Sequence, residues 1–423
     1  MRRLLALTVI LAVTLGGLYA ANAALDTEVP VRFRTATVDP TELDRLIGVF
    51  AARVEAEPSS WLNRARLGSL YLERASIGND LDDYDRALVH LETAAAVDRT
   101  PDLAIDLARA RLALHDFAGA LGELDEVTND SIARRSVSFD ALLGLGRLPD
   151  AADEVAALER LHPHEPAILI RRAELALYTG MPDRAIDAAE EALGRAEDAS
   201  LPAADLVFYR SAVARYHLLF GDPDRARGLA EDALGLAPND PAALLLSARA
   251  AAATADLDEA ITQAQHAASV SPDPAALGFL ADVLAASGDV AGADAQLDTV
   301  EAIAALDQPA LRRQTAQVLA DHGRALELAL SMAETELAER DDAYGHHLMA
   351  TVLAALGRFS EAETHAVRAI TVADPVVWYR AGLIAHANGD ADLARTRLQA
   401  ALELQPNFHP IWADHATELL AER

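Results

Sequence analysis

The sequence predicts an all-α fold, a right-handed α-solenoid of about ten helix pairs with a capping helix at each end. Three observations carry this. First, an alanine recurs at Ala87, Ala120, Ala151, Ala185, Ala226, Ala260, Ala293, Ala329, Ala362 and Ala394, in steps of 33, 31, 34, 41, 34, 33, 36, 33 and 32 residues. A period near 34 is the length of one helix–turn–helix unit. Second, turn signals precede these alanines: Gly-Arg-Leu-Pro-Asp (146–150), Gly-Met-Pro-Asp-Arg (180–184), Gly-Asp-Pro-Asp-Arg (221–225), Gly-Asp-Val (288–290), Gly-Arg-Phe (357–359) and Gly-Asp-Ala (389–391). Glycine takes the left-handed conformation that ends a helix, and proline fits the first turn of the next. Third, hydrophobic residues make up 52% of the 423 residues but aromatics only 5%. The apolar fraction is mostly Ala and Leu, strong helix formers, and alanine lets helices approach closely.

In chain order, Met1-Arg2-Arg3 is a short basic start, Leu4 to Ala20 is apolar apart from Thr8, Thr14 and glycines, and Ala21-Asn22-Ala23 fits a small-x-small cleavage site. Residues 1–23 therefore read as a signal peptide or, if retained, an N-terminal anchor at the short limit for crossing a bilayer. Cleavage removes Arg2 and Arg3 and takes the net charge from −30 to −32. Residues 24–60 hold an irregular lead-in and one amphipathic helix, Thr41 to Ala56, with Leu43, Leu46, Ile47, Phe50 and Val54 on one face. The solenoid spans 61–409, with an insertion at Ser76–Asp83 in the first copy, a long link near Ala196–Ala203 and a weak copy at 305–340. Residues 410–423 form a closing helix with Ile411, Trp412, Leu419 and Leu420 apolar. A stack of repeats needs such caps because its end units expose a face.

These residues resemble the tetratricopeptide repeat family over 61–410. The clearest copy is Ala-Leu-Gly-Arg-Phe-Ser-Glu-Ala, 355–362, followed by Ala366 and Ala369. The family's first-helix Trp appears only as Trp378 and its first-helix Tyr survives as Tyr71. The stretches 66–75, 379–386 and 405–408 also look like long exported bacterial members of that family without a catalytic domain. The resemblance implies a solenoid that binds other molecules and rarely does chemistry. Within the family, the clamp for peptide carboxylates uses lysine, asparagine and arginine. Every one of the 36 basic residues here is Arg, so capture of a Glu-Glu-Val-Asp tail is not expected.

A net charge of −30 repels nucleic acid and anionic lipid. No partner of either kind is expected, and membrane contact only through an uncleaved N-terminal helix. With no Cys, disulfides and thiolate chemistry are excluded. There is no Walker loop, GxSxG elbow or HExxH motif, so no enzyme, catalytic residue or cofactor is expected. Asp82-Asp83-Asp85 starts like a calcium loop but lacks the glycine and glutamate that must follow, and no metal site is expected. Seven of the 13 histidines fall in the last quarter. Repeat spacing places Tyr344 and His347, then Tyr379 and His386, on the concave faces of the last two first helices, where they could share one groove wall. The same reasoning puts Asp321, Arg215, Arg249 and Tyr178 on that face, although ordinary half-buried packing gives the same pattern. The expected role is an extracytoplasmic protein- or peptide-binding scaffold or assembly factor acting through this groove. The alternative is a small-ligand or cation-binding module using the acidic surface and the C-terminal His/Tyr cluster.

Overall fold

The computed structural model describes residues 40–78, 81–128, 130–306 and 308–421; the expected signal sequence and lead-in up to residue 39 lie outside them. Among the described residues there are 22 α-helices, one short 3-10 turn and no strand. They form an all-α solenoid of ten helix pairs, flanked by single helices. The chain divides into two compact units, the second beginning at His162.

The first unit holds α1 (Pro40–Ala56), then the pairs α2 (Trp61–Gly78) and α3 (Leu81–Ala95), α4 (Pro101–Ala113) and α5 (Phe117–Leu124), and α6 (Ile132–Gly144) and α7 (Leu148–Leu161). The apolar face of α1 buries Leu43, Ile47 and Val54 against Leu67 and Leu70 of α2. The insertion at 76–83 is largely helical, since α2 runs on to Gly78 and α3 starts at Leu81. Its acidic run is structural: Asp83 is 1% exposed and takes Arg74 at 2.5 Å and Arg86 at 2.8 Å.

The second unit holds seven pairs: α8 (Pro166–Tyr178) and α9 (Pro182–Asp198), α10 (Ala203–Leu219) and α11 (Pro223–Leu236), α12 (Pro241–Ala253) and α13 (Leu257–Val270), α14 (Pro274–Ser287) and α15 (Val290–Ala304), α16 (Arg312–Asp321) and α17 (Leu326–Glu339), α18 (Ala343–Ala355) and α19 (Phe359–Ala369), and α20 (Pro375–Ala387) and α21 (Ala391–Leu404). The last helix is α22 (Trp412–Ala421). The 41-residue step arises because α9 and α10 each run to 17 residues. The weak copy has a 3-10 turn, Pro309–Leu311, ahead of a 10-residue α16. Ala329 still sits in the first turn of α17, as Ala362 does in α19, which fixes its register.

All ten marker alanines are buried. Glycines do the same work where the partner is large: a Cβ at Gly382 would lie 2.8 Å from Leu398 side-chain atoms. Aspartates cap many of the helices. Asp240, Asp273, Asp342 and Asp374 accept N-terminal amides of first helices, and Asp116, Asp222, Asp256, Asp289 and Asp390 those of second helices. A carboxylate there meets both the free N–H groups and the positive end of the helix dipole.

Among the described residues seven glycines hold positive φ, each in the turn within a pair; α12–α13 uses Ala255 there, at φ 61°. The left-handed region costs a residue with a Cβ roughly 1–2 kcal/mol. Replacing Ala255→Gly is therefore expected to raise stability by about 0.5–1 kcal/mol after the unfolded-chain entropy of glycine is deducted. A urea midpoint unchanged or lowered would contradict this.

Candidate functional site

The first helices α10, α12, α14, α16, α18 and α20 of the second unit all contribute to one cavity, which the two segments flanking α20–α21 also border. Ala373 N donates to Leu177 O at 3.1 Å, at the end of α8. The Gln405 amide donates to Leu218 O in α10 at 3.0 Å. His409 meets Asp282 of α14 at 3.1 Å. Between these contacts lies a cavity of about 180 Å³.

The charged groups on this face are largely paired. Arg215 of α10 forms a buried ion pair with Glu174 of α8, whose Oε1 also accepts the Tyr216 hydroxyl at 2.5 Å. Burial, the largest influence on Glu174, lifts its carboxyl above the usual range. Asp282 is also buried, but His409 and His322 hold its carboxyl below the usual range. Asp321 accepts Arg380 at 2.6 Å and Gln317 at 3.1 Å. The Tyr344 hydroxyl donates to Asp374 at 3.3 Å, and burial raises both groups. Arg249 lies over the Phe279 ring, 5.2 Å from its centroid.

His409 shows how the last segment is seated. Its Nδ1 accepts the amides of Ile411 and Trp412 at 3.2 and 3.3 Å. Its Nε2 therefore carries the proton and donates to Asp282. The ring stacks on Trp412 at 3.6 Å. Burial keeps this imidazole neutral by lowering its affinity for a second proton.

Two uncharged, buried lining groups have no such commitments. Gln314 of α16 and His347 of α18 are 7% exposed each. The Gln314 carbonyl oxygen has no partner, and the His347 ring makes no hydrogen bond among the described residues. Burial, reinforced by the Arg380 and Arg313 guanidiniums, pushes the His347 imidazole down to about 3, so it is uncharged.

Of the residues singled out from the sequence, Tyr344, His347, Asp321, Arg215 and Arg249 line this cavity. Tyr178 stands behind it, edge-on to Tyr344 at 5.5 Å. Tyr379 and His386 are not among the lining residues. Tyr379 is 1% exposed under Phe408 and Trp412, with its hydroxyl 2.8 Å from His415. His386 is exposed at the end of α20. The late histidines do not converge either: His346 bonds His365 at 2.8 Å between α18 and α19, while His409 and His322 share Asp282. Among the described residues no group of three His, Asp or Glu side chains is placed to hold a metal. Gln314 and Phe279 are not singled out by the sequence, and the segment Asn407–Trp412 reads there as part of the family likeness and the start of the closing helix, not as a wall of this cavity. Gln314 sits in the weakest copy, and His409 and the neighbouring Gln405 reach partners 127 and 187 residues away, beyond any 34-residue period.

In the first unit the corresponding face is more open. Ser69 Oγ donates to Asp106 at 2.6 Å and Arg109 to the same carboxylate at 3.1 Å, with Arg109 and Asp106 both part-exposed.

A family model described as tetratricopeptide repeat matches residues 138–202, 212–269 and 347–407. No curated protein matches the chain. Among solved structures it is similar to a thermophilic TPR protein of Thermus thermophilus, at 26% identity over 45% of this chain and 98% of that one, TM-score 0.39. It is also similar to yeast Tom70, at 13% identity over 90% and 93%, TM-score 0.33. A human IFIT1 dimer with PPP-AAAA is similar at 14% identity over 87% and 95%, TM-score 0.49.

Proposed function

We propose, on the premise that this chain is a tetratricopeptide-repeat protein, that it is an extracytoplasmic scaffold that binds a protein or peptide along its first helices. The observation that supports this most is the repetition itself. Ten pairs spend their small residues on packing against each other, and the motifs of enzyme chemistry are missing from the sequence. Such repeats generally serve as interaction scaffolds and not as catalysts.

The partner face we favour is that of α2, α4 and α6. An α-helix with its side chains is about 10–12 Å across, too wide for the cavity of about 180 Å³ inside the second unit. The Ser69–Asp106–Arg109 row is part-exposed and presents both a carboxylate and a guanidinium. An extended segment meets such a row with its backbone amides and a few side chains. The location outside the cytoplasm rests on residues 1–23 of the sequence alone.

Affinity purification of the tagged chain from its host, at the host's own salt concentration, tests both points. The expected result is one dominant protein partner, lost by about tenfold or more with Arg109→Glu, on a chain whose intact mass lacks residues 1–23. A partner held equally by the variant sinks the proposed face, and a chain that stays in the cytoplasm sinks the location.

A further inference from the structure

The cavity of the second unit has a chemical character of its own. Burying a polar side chain without a partner costs about 1–3 kcal/mol, and such groups are few in native folds. Here the Gln314 carbonyl oxygen is such a group, and the His347 ring, 7% exposed and without a hydrogen bond among the described residues, borders the same space. Both are uncharged, and both carry a donor beside an acceptor. A carboxamide keeps that character whichever way its oxygen and nitrogen are assigned.

The charged groups around them leave little to attract an ion. Arg215 faces Glu174, Asp282 faces His409, Asp321 faces Arg380 and Asp374 takes the Tyr344 hydroxyl. A charged guest would lose its hydration against charges that already have hydrogen-bonding partners. Much of the remaining wall is apolar and aromatic, with Phe279, Val318, Phe408 and Trp412. A cavity of about 150 Å³ is known to accept benzene, so about 180 Å³ takes a ring with a small polar head.

We propose that this cavity is a binding site for a small uncharged molecule whose head both donates and accepts hydrogen bonds, a primary carboxamide on an apolar body of roughly aromatic-ring size. Gln314 pairs with the head, His347 supplies the second polar contact, and Phe279 and Val318 hold the body. The site is independent of the partner face on α2, α4 and α6, so failure of partner capture leaves it standing.

Four ring compounds of one shape test it on the full chain at pH 7: benzamide, benzoate, benzylammonium and toluene. Titration calorimetry, with Trp412 fluorescence as a second signal, is expected to show benzamide binding at least about tenfold tighter than the other three, the size of one good buried hydrogen bond. Gln314→Met removes the pairing group at similar volume and is expected to abolish the preference, so that toluene binds as well as benzamide. Gln314→Glu keeps the shape and adds charge, and is expected to move the preference to benzylammonium, which covers the case in which the Met variant does not fold. Equal binding of toluene and benzamide by the natural chain overturns the proposal. So does no binding of benzamide, since the cavity then holds only water, and so does a preference untouched by both Gln314 variants.

Discussion

Replacing Arg313→Met is expected to destabilise the second unit by about 3–5 kcal/mol, the cost of leaving buried charges without their partner. Arg313 is 6% exposed and joins three helices. From α16 its Nη1 and Nη2 each reach Asp342, the N-cap of α18, at 3.0 Å, and its Nε reaches Glu336 near the end of α17 at 3.1 Å. Asp342 keeps the Gly345 amide and Glu336 keeps Arg340 at 3.1 Å, so the carboxylates are weakened without being abandoned. Methionine fills much of the space, which isolates the electrostatic loss from a cavity term. Adding Asp342→Asn is expected to recover part of the loss, because Asn caps a helix about as well as Asp and leaves no charge to satisfy. The penalty also has a predictable pH dependence. Burial already raises the Glu336 carboxyl above its ordinary range, with Arg313 the largest influence opposing it. Without Arg313 it rises further. A carboxyl raised in the folded state favours folding at low pH and costs stability as pH climbs through the folded value. The destabilisation should therefore shrink on acidification toward about pH 4–5. Urea midpoints of both proteins across that range decide it, and a penalty that is small or independent of pH refutes the account.

The legible part of this protein is its local chemistry, because helix–turn–helix packing repeats within about 34 residues. The alanine at the start of each second helix needs a small side chain wherever it occurs, and Gly146, Gly180, Gly221, Gly288, Gly357 and Gly389 need positive φ for the same turn. Those signals suffice for the helix pairs. They also put Tyr344, His347, Asp321, Arg215 and Arg249 on the inner face, where helices from successive pairs bring them to one cavity. The period says which way a residue points and not what stands opposite it. Tyr379, expected on the groove wall, is instead covered by Phe408, Trp412 and His415 of a non-repeating tail. A Tyr379→Ala change would now report on the seating of α22 more than on any partner. Gln314 carries the same lesson in reverse. A single glutamine in an irregular copy looks like solvated surface, yet α16 borders, with α12, α14 and α18, one shared cavity.

Replacing His347→Phe is expected to make the protein markedly more resistant to acid. The natural imidazole is buried in the neutral form, with its affinity for a proton lowered to about 3 by burial first and by Arg380 and Arg313 next. In the unfolded chain it titrates near about 6.5. A histidine depressed in this way leaves stability intact above about pH 6.5, and the stability drains as pH falls toward about 3, because the unfolded state takes up the proton first. At one pH unit per about 1.4 kcal/mol, the loss assigned to this ring reaches roughly 4–5 kcal/mol by about pH 3. Phenylalanine keeps the ring and removes the titration. Other depressed histidines, His409 and His346 among them, pull the same way, and raised carboxyls such as Asp273 at about 6 pull the opposite way. The informative quantity is the difference between the two proteins, which should widen steadily below about pH 6.5 and vanish above it. Parallel stability curves would show that the ring meets water or a counter-charge on folding. The two changes also interact: Arg313→Met removes one of the two cations that keep His347 neutral, so in that background the His347→Phe gain should be smaller. Independence of the two effects would mean that α16 and α18 do not share the electrostatic environment their geometry implies.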